Sequence, residues 1–421
     1  MISAIFLIAT IPRPPLRPEV PLEIREATRN ITNPRRLPLG GYTERGNKID
    51  LPGGEPLYAR VIALQQGKLR VVIESAEMLT IPNSLREAVQ KKIPKDVFLL
   101  LCATHTHCAP DSQMLNSRMT FSIPGIATFK HNELAWYSQK LADAILDALR
   151  SKPQIITKVT STSWQAPCNR PRRKFAIPDQ TAYWIRFWLK SGRTTGFFWY
   201  SAHPTFYDSD EMQTRGDWPG RVNQLAYLAL IGPIGDVSPV ASAYKNQPGL
   251  DNAPAAAKIS RFWQAMLSPL KSGHAKNRTL WERNGCLLTG EDVMSLRDPS
   301  PHPDFAKTYK IPEVLAKLLV KKFAPESGLI SSISLGKLCI VGIPGEPSSA
   351  IGREIETFGH RSGFSTTLVL SHCNGWIGYI LLPDDYNRGG YEALLNFYGQ
   401  FEGTYVVNEA DNLIRVPGSP Q

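Results

Sequence analysis

The run Val97-Phe-Leu-Leu-Leu-Cys-Ala103 constrains this chain more than any other stretch. Nothing polar interrupts it, so it reads as a strand buried on both faces rather than one with a wet side. The strand delivers Thr104-His105-Thr106-His107 and is stopped by Ala109-Pro110. Residues two apart in an extended chain point to the same side, so His105 and His107 leave the strand end together. Such a pair serves as two metal ligands, as one ligand and one acid–base group, or as hydrogen-bonded polar residues of a loop.

The segments around this strand fix the fold class. Glu23 to Thr32 reads as a strand, and Leu57 to Leu64 with Leu69 to Glu74 as a hairpin turning at Gln65-Gln-Gly-Lys68. Pro82 to Ile93 reads as a helix leading into the central strand. A β-β-α-β order points to a mixed sheet with helical cover. Further on, Leu134, Leu141, Ile145 and Leu149 recur at helical spacing within Glu133 to Lys152. Strands follow over Ile155–Trp164, Tyr183–Leu189 and Thr195–Tyr200, then a helix over Trp218–Leu230 that Pro219 opens, and a punctuated loop to Ala243. Helices over Ala255–Met266 and Pro312–Phe323, a hairpin over Leu329–Ile343, a helix over Ser348–Phe358 and a strand over Thr366–Leu370 come next. A last helix covers Glu409–Ile414 or starts earlier. The expectation is an α/β protein: a mixed β-sheet core with covering helices and an active site at strand-end loops.

No repeat, heptad or low-complexity linker divides the chain, so residues 22–421 read as one domain. Residues 1–21 form an extended lead-in, with an apolar start that is either an export-signal remnant or a first strand and then Arg13-Pro-Pro-Leu-Arg-Pro18. With 42% hydrophobic and 20% charged residues the chain has the composition of a soluble globular protein. No stretch of about 18 apolar residues is present, so no transmembrane segment is expected. The formal charge of +11 has the sign that favours anionic surfaces such as lipid headgroups. The basic residues are scattered, however, and no nucleic-acid-binding motif occurs. The six cysteines show no Cys-x-x-Cys spacing and so no zinc ribbon or redox pair; Cys108 stands out by following the histidine pair.

Four strand ends share one pattern, a hydrophobic run closed by a polar residue near Gly or Pro. They are Phe98–Cys102 with His105 and His107, Phe197–Tyr200 with His203, Ile340–Ile343 with Glu346, and Leu368–Leu370 with Tyr379. Loops at the ends of strands in one sheet commonly build a single site. Two imidazoles and a carboxylate are a usual catalytic zinc set, which leaves a position for water or substrate. Glu346, in Pro344-Gly-Glu-Pro347, also suits the cap of the helix that follows. Gly232-Pro-Ile-Gly-Asp-Val-Ser-Pro239 is a tight loop presenting Ser238, and it matches neither a Gly-x-Ser-x-Gly elbow nor a phosphate loop.

Taken in order, Thr104-His-Thr-His-Cys-Ala-Pro110, Gly235-Asp-Val-Ser-Pro239, Gly345-Glu-Pro347, and Gly378-Tyr379 with Tyr391-Glu392 resemble the neutral/alkaline, non-lysosomal ceramidases. Ile31-Thr32 followed by Gly40-Gly-Tyr42 resembles the start of that catalytic domain, and the resemblance spans roughly residues 22 to 415. It implies a zinc-dependent amidohydrolase acting on a ceramide-like lipid amide. By position it implies that His105, His203, Glu346 and Tyr379 are zinc ligands and that His107 handles protons. It further implies that Arg170 contacts substrate, that Ser238 positions substrate or acts as a nucleophile, and that Tyr391 stabilises the oxyanion. It also implies a secreted or periplasmic protein, with a cytoplasmic one left open; the basic net charge adds peripheral contact with an anionic membrane surface.

The chain departs from the family pattern at Cys108-Ala109, at Val240 and at Pro171-Arg-Arg173. It ends soon after Tyr391, as short bacterial ceramidase-like proteins do, without the sandwich-like C-terminal domain of full-length ceramidases. Two alternatives follow: a zinc-dependent esterase, lactonase or non-sphingolipid amidase using the same metal, and a non-catalytic lipid- or envelope-binding module on the same scaffold.

Overall fold

The structure, a computed structural model, describes residues 20–224, 226–240, 253–282 and 285–414. The expected lead-in therefore lies outside the described residues up to position 19. Strands β1 (Leu22–Asn30), β2 (Tyr58–Gln66) and β3 (Leu69–Ala76), helix α1 (Asn83–Gln90), strand β4 (Val97–Ala103) and helix α2 (His131–Arg150) open the fold. Then come β5 (Gln154–Gln165), β6 (Asn169–Pro171), β7 (Thr181–Leu189), β8 (Thr194–Tyr200), β9 (Leu228–Ile231) and β10 (Val237–Pro239). Helix α3 (Ala255–Lys271), β11 (Lys276–Trp281), β12 (Leu287–Ser295), α4 (Pro303–Thr308) and α5 (Glu313–Phe323) precede the hairpin β13 (Ser327–Leu335) and β14 (Leu338–Gly342). The last elements are β15 (Glu346–Pro347), α6 (Ser349–Arg361), β16 (Thr366–Leu370), β17 (Tyr379–Ile380), α7 (Pro383–Asn387), α8 (Tyr391–Leu394) and α9 (Glu402–Ile414).

Two sheets carry the architecture. The larger is nine-stranded, in the order β4-β3-β2-β1-β5-β7-β8-β9, with β11 also paired to β5. Its β3–β4 and β8–β9 pairs are parallel and its other pairs antiparallel. The smaller sheet runs β12-β13-β14-β16, with β14 and β16 parallel. Side chains alternate across each strand, and each face finds its own core. Ile62, Ile73, Leu100 and Trp199 of the larger sheet pack with Ile333, Ile340 and Leu368 of the smaller one. The opposite face of the larger sheet buries Val61, Leu99 and Leu101 under Leu85 of α1 and Leu141 and Ile145 of α2, and Phe198 and Tyr200 under Phe262 and Trp263 of α3. The outer face of the smaller sheet packs Val341 and Val369 against Ile351 and Ile355 of α6 and Val406 of α9. The result is a four-layer helix–sheet–sheet–helix arrangement, the mixed α/β core expected. Leu100 faces one core while Leu99 and Leu101 face another, which is why β4 has no polar residue.

The C-terminal ends of β4, β9, β14 and β16 are fastened to one another. Ala103 N donates to His372 O (3.1 Å), Ser371 N to Ile231 O (2.9 Å) and Ile343 N to Leu370 O (2.9 Å).

The helix expected over Trp218–Leu230 is not formed. A short 3-10 turn covers Pro219–Gln224, and Leu228–Ile231 is β9, paired in parallel with β8. The Leu-Ala-Leu-Ile run is buried on both faces, a burial that continuous apolar sequence serves equally well in a strand or a helix. The last helix takes the earlier start that the sequence left open, at Glu402. Strands β11 and β12 and helix α4 were not anticipated; Glu291, Asp292 and Val293 of β12 are exposed, so no alternating pattern marks that edge strand.

Candidate metal centre

At the end of β4 the backbone turns sharply: His105 has φ +61°, in the left-handed region that a non-glycine residue rarely occupies. The turn brings His105 Nδ1 to 2.7 Å from the carbonyl of Leu79. A carbonyl only accepts, so Nδ1 carries the proton and Nε2 keeps its lone pair. His203, three residues past β8, is fixed in the same way by the carbonyl of Val237 at 3.1 Å. Both unprotonated Nε2 atoms converge on Glu346 Oε2, at 3.7 Å from His105 and 3.5 Å from His203.

Glu346 is set by β15, which pairs in parallel with β17 so that Glu346 lies beside Tyr379. This close approach needs Gly378: its φ is +100°, and a Cβ there would fall 2.5 Å from the Leu395 carbonyl. Trp376 Nε1 donates to Glu346 Oε1 at 3.1 Å, whereas Oε2 is buried and has no hydrogen-bond partner.

His107 places Nε2 3.2 Å from His105 Nε2, and its own Nδ1 is buried without a partner. Its loop is clamped from behind by buried Arg45, which donates to the carbonyls of His107, Gly40 and Asp208. Gly41 has φ +89°, and a Cβ on it would strike the His107 ring at 2.4 Å, so the ring packs directly on the backbone of Gly40-Gly41-Tyr42. His372, two residues past β16, stacks on His105 with ring centroids 3.9 Å apart; it is fully buried and neither ring nitrogen has a partner.

Burial lowers the pKa of His105, and burial with the neighbouring imidazoles or Arg172 takes His107, His203 and His372 well below the ordinary value. These imidazoles are therefore neutral and available as donors. Glu346 behaves in the opposite way. Burial alone would push its carboxyl up, but His105 and His372, with hydrogen bonds from Trp376 and Tyr379, hold it below its usual value. Burial and the adjacent Glu346 keep the Tyr379 phenol well above its ordinary pKa.

Two overlapping sets of potential ligands result, His105/His107/His203 and His105/Glu346/His372, each with its ligand atoms within 4.8 Å of one another. Donors about 2.0–2.1 Å from a tetrahedral zinc lie roughly 3.3–3.4 Å apart. The 3.5 and 3.7 Å separations of His203 and His105 from Glu346 Oε2, an unpartnered buried carboxylate oxygen, fit a bound cation.

Two solved structures share this architecture. Neutral ceramidase from Pseudomonas aeruginosa aligns with a TM-score of 0.77 at 14% identity, over 96% of this chain and 76% of that one. The chain has the fold of a neutral ceramidase. A ceramidase complexed with C2 aligns with a TM-score of 0.73 at 14% identity, over 94% of this chain and 75% of that one. No protein-family model matches the chain, and no curated protein matches it in sequence.

Within this ceramidase fold the structure brings together His105, His107, His203, Glu346 and Tyr379. Ser238, on β10, lies at the edge of the cluster, and Tyr391, at the start of α8, is 58% exposed with its ring 5.8 Å from that of Tyr379. Arg170 is placed elsewhere. It pairs with Ser238 through the backbone of the β6–β10 ladder, but its side chain is exposed. The arginine that reaches the cluster is Arg172, just past the end of β6. Its Nε donates to Ser238 Oγ (2.9 Å), and its Nη1 lies 3.4 Å from His203 Nε2 and 3.5 Å from Tyr379 Oη. Sequence reasoning missed Arg172 and His372.

Two other residues also find their roles. Asp236 of the glycine-rich loop accepts from Ser349 N (2.8 Å) and Ser349 Oγ (2.9 Å), capping α6, so the helix after Glu346 is capped from another segment. Cys108 packs against Arg45, and burial pushes its thiol up to about 12, so it is not a thiolate nucleophile.

Proposed function

We propose that the chain is a zinc-dependent hydrolase that cleaves an N-acyl amide bond, with a ceramide-like lipid amide as substrate class. The observation that carries this reading is the convergence of two imidazole Nε2 atoms, each oriented by a backbone carbonyl, on an unpartnered carboxylate oxygen. His105, His203, Glu346 and Tyr379 would hold the metal. A bound zinc would lower the pKa of a water toward ~7 and polarise the substrate carbonyl.

The protein's own groups supply the rest. His107 is neutral, buried and next to the donors, so it takes a proton during attack and returns one to the leaving amine. Tyr391 offers a hydroxyl from the rim to the carbonyl oxygen as charge develops there. Ser238 accepts from Arg172, and among the described residues no imidazole or carboxylate bonds its hydroxyl; that arrangement favours positioning over nucleophilic attack. The loop that delivers Arg172 continues through Lys174, Phe175 and Ile177, the last two 63% and 66% exposed. A rim of apolar and basic groups is what an anionic lipid surface would meet, which supports a lipid substrate.

Elemental analysis of protein purified without added metal tests the centre, and a panel of N-acyl amides with matched esters tests the bond. About one zinc per chain, with amide turnover lost on chelation, is the expected outcome. Protein that neither holds nor takes up metal would overturn the reading. Turnover confined to the esters would convert it to the esterase alternative, which the exposed Arg170 and the Pro171-Arg-Arg173 sequence motivate.

A further inference from the structure

Behind the metal centre, Cys102 of β4 faces Cys373, the residue after His372. The two form an isolated antiparallel bridge. The hydrogen bonds of that bridge lie on its flanks, Asn374 N to Leu101 O at 2.8 Å and Ala103 N to His372 O at 3.1 Å. The cysteines are therefore a non-hydrogen-bonded pair, the register in which opposite Cα atoms approach to about 4.5 Å. That spacing falls within the roughly 4.4–6.8 Å that a disulfide spans.

The side chains agree with the backbone. The sulfurs lie 2.7 Å apart, closer than the roughly 3.5–4.0 Å at which non-bonded heavy atoms settle. Cys373 is held rigidly, because His372 and Asn374 on either side of it have φ of +55° and +59°. The Asn374 side chain also bonds Leu101 N, Leu99 O and Ser331 Oγ, at 3.0, 3.0 and 2.9 Å. Space for the pair depends on Gly342, where a Cβ would lie 3.0 Å from Cys373 Cβ and 2.5 Å from Leu100.

We propose that Cys102 and Cys373 form a disulfide that cross-links the strand carrying His105 to the loop carrying His372 and leading to Tyr379. The oxidant is a disulfide reagent of the glutathione class. One cysteine thiolate attacks it and releases a first thiol, giving a mixed disulfide. The second thiolate then displaces the other thiol, so two electrons and two protons leave the cysteine pair and one disulfide becomes two thiols. Both cysteines are at most 2% exposed and burial raises the Cys373 thiol, so the exchange takes place as the chain folds rather than on the finished protein. The bond closes a loop of some 270 residues, a constraint on the unfolded chain that grows with loop length.

The test is a thiol count on protein refolded in a glutathione redox buffer, then denatured without reductant. Four titratable thiols out of the six in the sequence are expected, with the tryptic peptides of Cys102 and Cys373 joined in the mass spectrum. Six thiols, or a bridge between other cysteines, would overturn the proposal. Reductant should lower the melting temperature of the wild-type protein and leave Cys102→Ala/Cys373→Ala unchanged; a wild-type protein indifferent to reductant also counts against it. If the double variant does not fold, Cys373→Ala alone serves as the control, with every remaining thiol titrating. None of these readouts requires a metal, so the proposal stands or falls separately from the zinc hydrolase reading.

Discussion

Glu346 and Glu74 are carboxyls of equal seclusion, 3% and 0% exposed, and their pKa values move in opposite directions. Glu74 lies on β3 between Val61 of β2 and Leu101 of β4 in register, with neither oxygen partnered, and burial alone pushes its carboxyl well up. Glu346 is just as dry, but imidazoles, an indole N–H and a phenol face it, and it stays charged. Burial alone therefore does not make a site. What separates the candidate metal centre from the core beneath it is a pair of imidazole lone pairs, aimed by backbone carbonyls at a carboxylate that stays charged.

The sharpest way to break this contrast is to neutralise each carboxyl in turn. Glu346→Gln removes the anionic donor and should lower metal affinity by more than about 100-fold, taking turnover with it. Glu346→Gln protein that keeps stoichiometric zinc and full activity would refute the assignment. Glu74→Gln should leave turnover within about twofold, because neither Glu74 oxygen has a hydrogen-bond partner through which to act on the cluster.

The next largest effect separates the two arginines. Arg172→Ala should cost about 100-fold in kcat/KM, since its guanidinium orders Ser238 and touches both His203 and Tyr379. Arg170→Ala should cost no more than about twofold. Equal losses in both variants would mean that the loop after β6 rearranges around substrate.

Acid stability sharpens the comparison from another side. His107, His203 and His372 have folded pKa values below the ordinary 6.5, so the unfolded chain binds more protons than the folded one once the pH drops beneath that value. Stability of the metal-free protein should be fully present above about pH 6.5 and decline below it, by ~1.4 kcal/mol per pH unit for each proton taken up. Denaturant titrations at pH 7.5, 6 and 5 read this slope; a flat profile would mean that these imidazoles are solvated.

The smallest effect has the opposite sign. Glu74 is raised when folded, so its stabilising contribution is complete below its unfolded value near 4.5 and is lost as the pH rises through the folded one. Glu74→Gln should therefore be more stable than wild type at pH 8 and no more stable near pH 4. A loss at pH 8 would reveal a partner for the carboxylate.

Much of the layout was legible in the sequence because buried strands announce themselves. The uniform apolar runs of β4, β8, β14 and β16 each end in a polar residue, and that pattern picks out His105, His203, Glu346 and Tyr379 for a shared position. It applies equally to His372, two residues past Leu370, but a single histidine in Ser371-His-Cys-Asn374 has no spacing partner to call attention to it. Arg172 was hidden by a local event. Arg170 and Arg172 are two apart and would face alike in a strand, but β6 stops at Pro171 and the chain turns, sending one guanidinium outward and the other in. The Trp218–Leu230 segment misled because four apolar residues serve a buried strand and a buried helix alike.

The donors are also divided between layers, with His105 and His203 following strands of the larger sheet and Glu346 and Tyr379 lying beyond strands of the smaller one. The centre therefore does not exist in either layer alone and is completed only when the two have docked, by residues as far apart in the chain as 105 and 379. A cation seated there would work as a clasp. At a thousandfold excess over its dissociation constant it adds ~4 kcal/mol to the docked state. Withdrawing it would loosen the seam between the sheets before disturbing either sheet, and resistance to proteolysis should fall there first.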